Sequence, residues 1–137
     1  MNTHKISSNF ISGLSFTAKI DQYHVEMDTT DENTQNLGPS PKKLMLASLA
    51  GCTGIDVVSI LNKMKVNFSD LKIDIHASLT EEHPQIYNEV FIHYFIKVRE
   101  EDEAKVQKAV DLSKDKYCGV SAMFQSFAKL NWKINFL

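Results

Sequence analysis

Strict alternation of apolar and polar residues marks several stretches of this chain. In residues 11–20, Leu14, Phe16, Ala18 and Ile20 alternate with Ser15, Thr17 and Lys19. Tyr23, Val25 and Met27 then alternate with His24 and Glu26. A period of two puts one set on each face of a strand, so these runs predict two half-buried strands joined as a hairpin. Residues 29–38 are polar and read as a loop. Ser40-Pro41 then opens a helix, with Ser40 as the cap and Pro41 at the first helical position, where a missing N–H costs nothing. From Leu44 to Met64 apolar residues occupy nearly every side, which predicts a helix buried on most sides. Gly51 and Gly54 each weaken that helix by about 1 kcal/mol against alanine, so close approach of another backbone or helix is expected there.

The second half repeats the alternation. Leu71, Ile73, Ile75, Ala77 and Leu79 alternate with Lys72, Asp74, His76 and Ser78. Residues 87–98 are apolar on both faces, as in a central strand. Residues 100–116 predict an amphipathic helix with Val106, Ala109 and Val110 on its stripe, and residues 117–127 a short second helix. Leu130, Trp132, Ile134 and Phe136 alternate in a closing strand. The order β-β-α-β-β-α-α-β, with strand pairs and helices segregated, predicts an α+β fold with an antiparallel sheet.

Composition narrows the function. The 137 residues suit one domain (1–40 N-terminal strands, 41–66 central helix, 67–137 the remainder) and bury a core without disulfides. A net charge of −2, with no cluster of lysines, argues against a nucleic-acid partner. Arg99 is the one arginine, so bidentate recognition of phosphate or carboxylate is poorly provided for. The polar first ten residues lack the apolar run of a secretory signal, giving a cytoplasmic expectation. Residues 44–61 are nearly long enough to span a membrane, but Asp56 at mid-depth would cost roughly 3 kcal/mol. They read as a helix buried in protein, with no membrane partner.

In a reducing compartment, Cys52 and Cys118 are expected to be free thiols. Cys52, within Gly51-Cys52-Thr53-Gly54, is either a small core hydrophobe or a sulfur to which the glycines admit a substrate. Cys118, at the start of the short helix, is either a plain helix-start residue or a thiol activated by that position. Asp56, one turn from Cys52, would disfavour a thiolate there. Zinc fits poorly by spacing: the cysteines are far apart, and His4, His24, His76, His83 and His93 are scattered.

Two motifs carry a resemblance. Gly38-Pro39-Ser40-Pro41-Lys42-Lys43-Leu44 leads into Leu49-Ala50-Gly51-Cys52-Thr53-Gly54-Ile55-Asp56-Val57-Val58, and Lys116-Tyr117-Cys118-Gly119-Val120-Ser121 follows much later. Together they resemble the OsmC/Ohr family of osmotically inducible and organic hydroperoxide resistance proteins, and the first is most similar to its YhfA-type branch. The resemblance implies an interlocked α+β homodimer with the central helices packed at its core. It also implies a thiol-dependent peroxidase without metal or cofactor. Cys52 would attack an organic hydroperoxide, Cys118 would resolve the sulfenic acid as a disulfide, and a dithiol would reduce it. Peroxidase members also carry a glutamate at the start of the central helix and an arginine from the N-terminal strands. Here Lys42 and Lys43 stand at the first place, and residues 1–40 contain no arginine. These departures motivate an alternative, a non-peroxidase member that binds a small apolar ligand at the dimer interface.

Overall fold

A computed structural model describes residues 2–137. Their contacts divide the chain into two units, one ending at Met45 and one spanning Leu46–Leu137.

The first unit is an antiparallel meander of β1 (Ser7–Ser12), β2 (Ser15–Ile20) and β3 (Tyr23–Met27). The β2–β3 hairpin matches the alternation. The preceding strand does not, because the chain reverses at Gly13 (φ +53°), so residues 11–20 are split between β1 and β2. The polar residues Ser7, Ser8 and Asn9 concealed β1. These strands are less buried than their pattern suggests. Phe16 and Tyr23 are exposed, and Phe10 meets Phe16 edge to face at 5.7 Å on an uncovered surface. Three strands alone have nothing to lay over an apolar face. The loop before the helix is pinned by buried Asp28, whose carboxylate accepts hydrogen bonds from Thr29 N (2.7 Å) and Leu37 N (2.9 Å). Gly38 passes so close to β3 that a Cβ would sit 2.7 Å from the Glu26 carbonyl oxygen, which is why no side chain is accommodated there.

Helix α1 (Pro41–Lys63) begins where Ser40 caps it, its Oγ accepting from Lys43 N at 3.4 Å. Its buried residues form one stripe, Leu49, Thr53, Val57 and Leu61, each four positions after the last. Within one chain only this face is covered, and Gly51 and Ile55 are exposed. A Cβ at Gly54 would come 3.1 Å from Ile73 Cδ1, so close packing there is against a side chain. At Gly51 a Cβ would meet nothing within 4 Å.

The second unit lays α1 on a sheet of order β4-β5-β6, formed by Ser69–Leu79, Tyr87–Lys97 and Lys129–Phe136. β4 and β5 are antiparallel. β6 runs parallel to β5, so the purely antiparallel sheet is also corrected. The chain leaves the far end of β5 through helices and returns to start β6 beside the start of β5, the crossover that parallel strands require. Val90, Ile92, Tyr94 and Ile96 of β5 face the core with Leu49, Val57 and Leu61 of α1 and Phe124. Val106, Ala109 and Val110, the anticipated stripe, complete it from α2 (Glu103–Leu112). The helix expected over residues 100–116 is three pieces: a 3-10 turn (Glu100–Asp102), α2, and a wide π turn (Ser113–Tyr117). Helix α3 (Gly119–Gln125) follows.

Leu61 is fully buried. Leu61→Ala is expected to lower unfolding free energy by about 3 kcal/mol, read by urea denaturation. A cost under about 1 kcal/mol would contradict this account of the core.

Candidate functional site

Thr53 continues the buried stripe of α1, and Cys52 and Asp56 form the adjacent stripe, four residues apart and so on one face. Thr53 Oγ1 lies 2.7 Å from the Tyr94 hydroxyl of β5 and 2.9 Å from Ser113 Oγ, and Ser113 Oγ donates to Asp56 Oδ2 at 3.0 Å. One hydroxyl has one proton, which sets the direction of the chain. Ser113 gives its proton to Asp56, so it accepts from Thr53, which in turn accepts from Tyr94. Burial pushes the Tyr94 hydroxyl up to about 12, with the bond to Thr53 opposing and the charges of Cys118 and Asp56 adding. It therefore stays a donor, and the whole chain of hydroxyls points at the Asp56 carboxylate.

The π turn makes this possible. Its wider loop is closed by Cys118 N donating to the Ser113 carbonyl at 2.7 Å. Ser113 is thereby turned into the core, and the chain is delivered to Cys118 at the N-cap of α3. Such bulges recur where helices carry function. Cys118 is buried, and its sulfur accepts from Ser121 N at 3.3 Å. Cys52 is half-buried.

Both candidate residues thus meet at one place. Cys52 Sγ, Cys118 Sγ and an Asp56 carboxylate oxygen all lie within 4.8 Å of one another. Both cysteines are free. Burial pushes the Cys52 thiol up; the hydrogen bond with Cys118 and the charges of Cys118 and Asp56 act in the same sense, and only the Val120 N–H opposes them. Asp56, but neither cysteine, also lines a cavity of about 450 Å³ of mixed polarity with Ile60, Lys63, Met64 and Leu112.

Sequence reasoning found both cysteines and the proximity of Asp56 to Cys52. It missed Thr53, Ser113 and Tyr94, whose contacts span 41 and 60 positions of sequence. Folding also joins two cysteines and a carboxylate that no linear motif joins. Arg99 instead ion-pairs with Glu101 (3.3 Å) and Asp102 (3.7 Å). The histidines are less scattered than expected: the rings of His76 and His93 lie 4.9 Å apart, although neither belongs to the cysteine cluster.

The family model described as OsmC-like protein matches residues 31–133. The chain belongs to the OsmC-like family. It is similar to Protein YhfA of Escherichia coli K12, with 33% identity over 116 residues, 85% of each chain. Its fold resembles that of a hypothetical protein from Aquifex aeolicus VF5, with a TM-score of 0.81 and 29% identity over 100% of this chain and 99% of that one. It also resembles the organic hydroperoxide resistance protein OhrB of Bacillus subtilis, with a TM-score of 0.64 and 17% identity over 98% of each chain. That last likeness is one of fold.

In this OsmC-like chain, Thr53→Val would leave Tyr94 without an acceptor and Ser113 without a donor. The expected loss is about 1–3 kcal/mol in urea unfolding, with Thr53→Ser costing less. A neutral Thr53→Val would show that the hydroxyl chain adds nothing to stability.

Proposed function

We propose that this OsmC-like chain is a cysteine-based peroxidase that reduces organic hydroperoxides. The observation that carries the reading is the pair of free sulfurs, brought within 4.8 Å of each other and of Asp56, which itself lines a partly apolar cavity. Ile60, Met64 and Leu112 would receive the organic group of the peroxide.

Cys52 gives its proton to Asp56, and the thiolate attacks the terminal oxygen of R–O–O–H. The O–O bond breaks, and Cys52 becomes a sulfenic acid. The departing alkoxide takes the proton from Asp56 and leaves as R–OH. The Cys118 thiol then attacks the sulfenic sulfur, the disulfide forms, and water departs with the Cys118 proton. A small dithiol, lipoyl-type in chemistry, returns two electrons and two protons by exchange. Asp56 thus takes the place in proton handling that the family's arginine and glutamate leave open here. The hydrogen bond from Ser113 keeps its carboxylate aimed.

The reading includes a cytoplasmic homodimer. Ile55 is 73% exposed on α1, and Gly51, one turn earlier, also faces outward. A partner helix laid along that stripe would account for the residues that one chain leaves uncovered.

In reduced, chelator-treated protein with a dithiol, cumene hydroperoxide consumption is expected for the wild type and not for Cys52→Ser. Asp56→Asn should slow it at least tenfold. Because the proton that Asp56 relays comes from the Cys52 thiol, and burial, Cys118 and Asp56 all raise that thiol, the rate should hold through neutrality and fall once alkaline pH strips the proton. Turnover no greater than that of Cys52→Ser would sink the peroxidase reading. A small apolar molecule retained through purification would then favour the ligand-binding alternative, which the raised thiol and the missing arginine support. For assembly, light scattering should give the wild type twice the 15.5 kDa chain mass and Ile55→Asp a single chain mass. An unchanged mass in Ile55→Asp would rule out pairing through this stripe.

A further inference from the structure

We propose that Cys52, Asp56 and Cys118 form a binding site for one thiophilic divalent cation, zinc above all. The inference goes beyond the peroxidase reading and does not rest on it. Three anionic-capable ligand atoms, two sulfurs and a carboxylate oxygen, already lie within 4.8 Å of one another. A tetrahedral zinc, with bonds of about 2.3 Å to sulfur and about 2.0 Å to oxygen, sets its ligand atoms about 3.5–3.8 Å apart. Closing the remaining gap takes small side-chain rotations.

The surroundings fit as well. Cys52 and Asp56 stand four residues apart on one helix, so two ligands come from a rigid element and share a face. The third, Cys118, is fixed by the turn of its own backbone, with its sulfur held by Ser121 N. Ser113 donates to Asp56 Oδ2 and is itself backed by Thr53 and Tyr94. This is the kind of outer support that orients a ligating carboxylate. Among the described residues, no lysine or arginine ion-pairs with Asp56, so the carboxylate is not already neutralised. Lys63 lines the same cavity, two turns along the helix.

The ligand set selects the metal. Two thiolates disfavour magnesium and calcium, which take oxygen ligands, and suit zinc. Three protein ligands leave a fourth position open for solvent or a small molecule. Cation binding and disulfide chemistry are exclusive uses of the same sulfurs, because a disulfide has no thiolate to give. A bound cation would therefore hold the pair reduced.

The test uses reduced full-length protein stripped of metal, with no peroxide or dithiol turnover, so its outcome is separate from that of the peroxidase assay. Titration with Co²⁺ is expected to give a thiolate-to-cobalt charge-transfer band and four-coordinate d–d bands, saturating at one equivalent per chain. Zinc should displace the cobalt. Competition against a chromophoric chelator should show zinc binding weakened at least 100-fold by Cys52→Ser or Cys118→Ser and at least tenfold by Asp56→Asn. It should be unchanged by His76→Ala, which breaks the His76–His93 ring pair outside the cluster. Should a cysteine variant fail to fold, the wild type still decides: zinc should shield both cysteines from alkylation, read by mass spectrometry. No charge-transfer band, or alkylation of both cysteines at equal rates with and without zinc, would overturn the proposal.

Discussion

The hydroxyl of Thr53 is the joint on which the rest of this structure turns. It sits fully buried on α1, reaches Tyr94 on the central strand and reaches Ser113 at the head of the π turn. Helix, sheet and crossover therefore meet at one oxygen. In a dry core an unpaired hydroxyl is costly, so each of these groups requires the others. Because Ser113 passes its proton on to Asp56, the same chain that locks the core also aims the carboxylate at the cysteines. Stability and site geometry share one set of bonds.

The site has an electrostatic tension. Two thiols and a carboxylate converge, and each group makes ionisation of Cys52 harder. The family's usual relief, an arginine from the N-terminal strands, is missing from residues 1–40. A proton passed between sulfur and carboxylate relieves the tension for redox chemistry, and a bound cation relieves it without any redox step. The arrangement of Asp56 is what both readings share, and it separates this chain from a plain pair of redox cysteines.

Much of the fold could be read along the chain. The start of α1 at Ser40-Pro41, the buried stripe of Val106, Ala109 and Val110, and the strands Ser69–Leu79, Tyr87–Lys97 and Lys129–Phe136 follow local periodicity. The misreadings have physical causes. β1 was concealed because exposed strand residues need not alternate. The break into α2 and a π turn leaves no mark in the apolar stripe, since Val106, Ala109 and Val110 all lie in α2, before the π turn. The direction of β6 depends on where the crossover returns the chain, which no residue of β6 encodes. The apolar surface of α1 specifies that something covers it, without specifying which chain.

What the sequence determined by itself was the set of elements, the two cysteines worth naming, and the family to which their flanking motifs point. These are local properties, carried by residue type and by spacings of two or four positions. Only the tertiary structure decided that Cys52, Asp56 and Cys118 share one small volume, and that Tyr94, Thr53 and Ser113 form a directed chain behind them. Distances of a few ångströms between residues 41 to 60 positions apart are set by how a whole helix settles on a whole sheet. That packing is summed over every buried side chain, so no short stretch of the chain contains it.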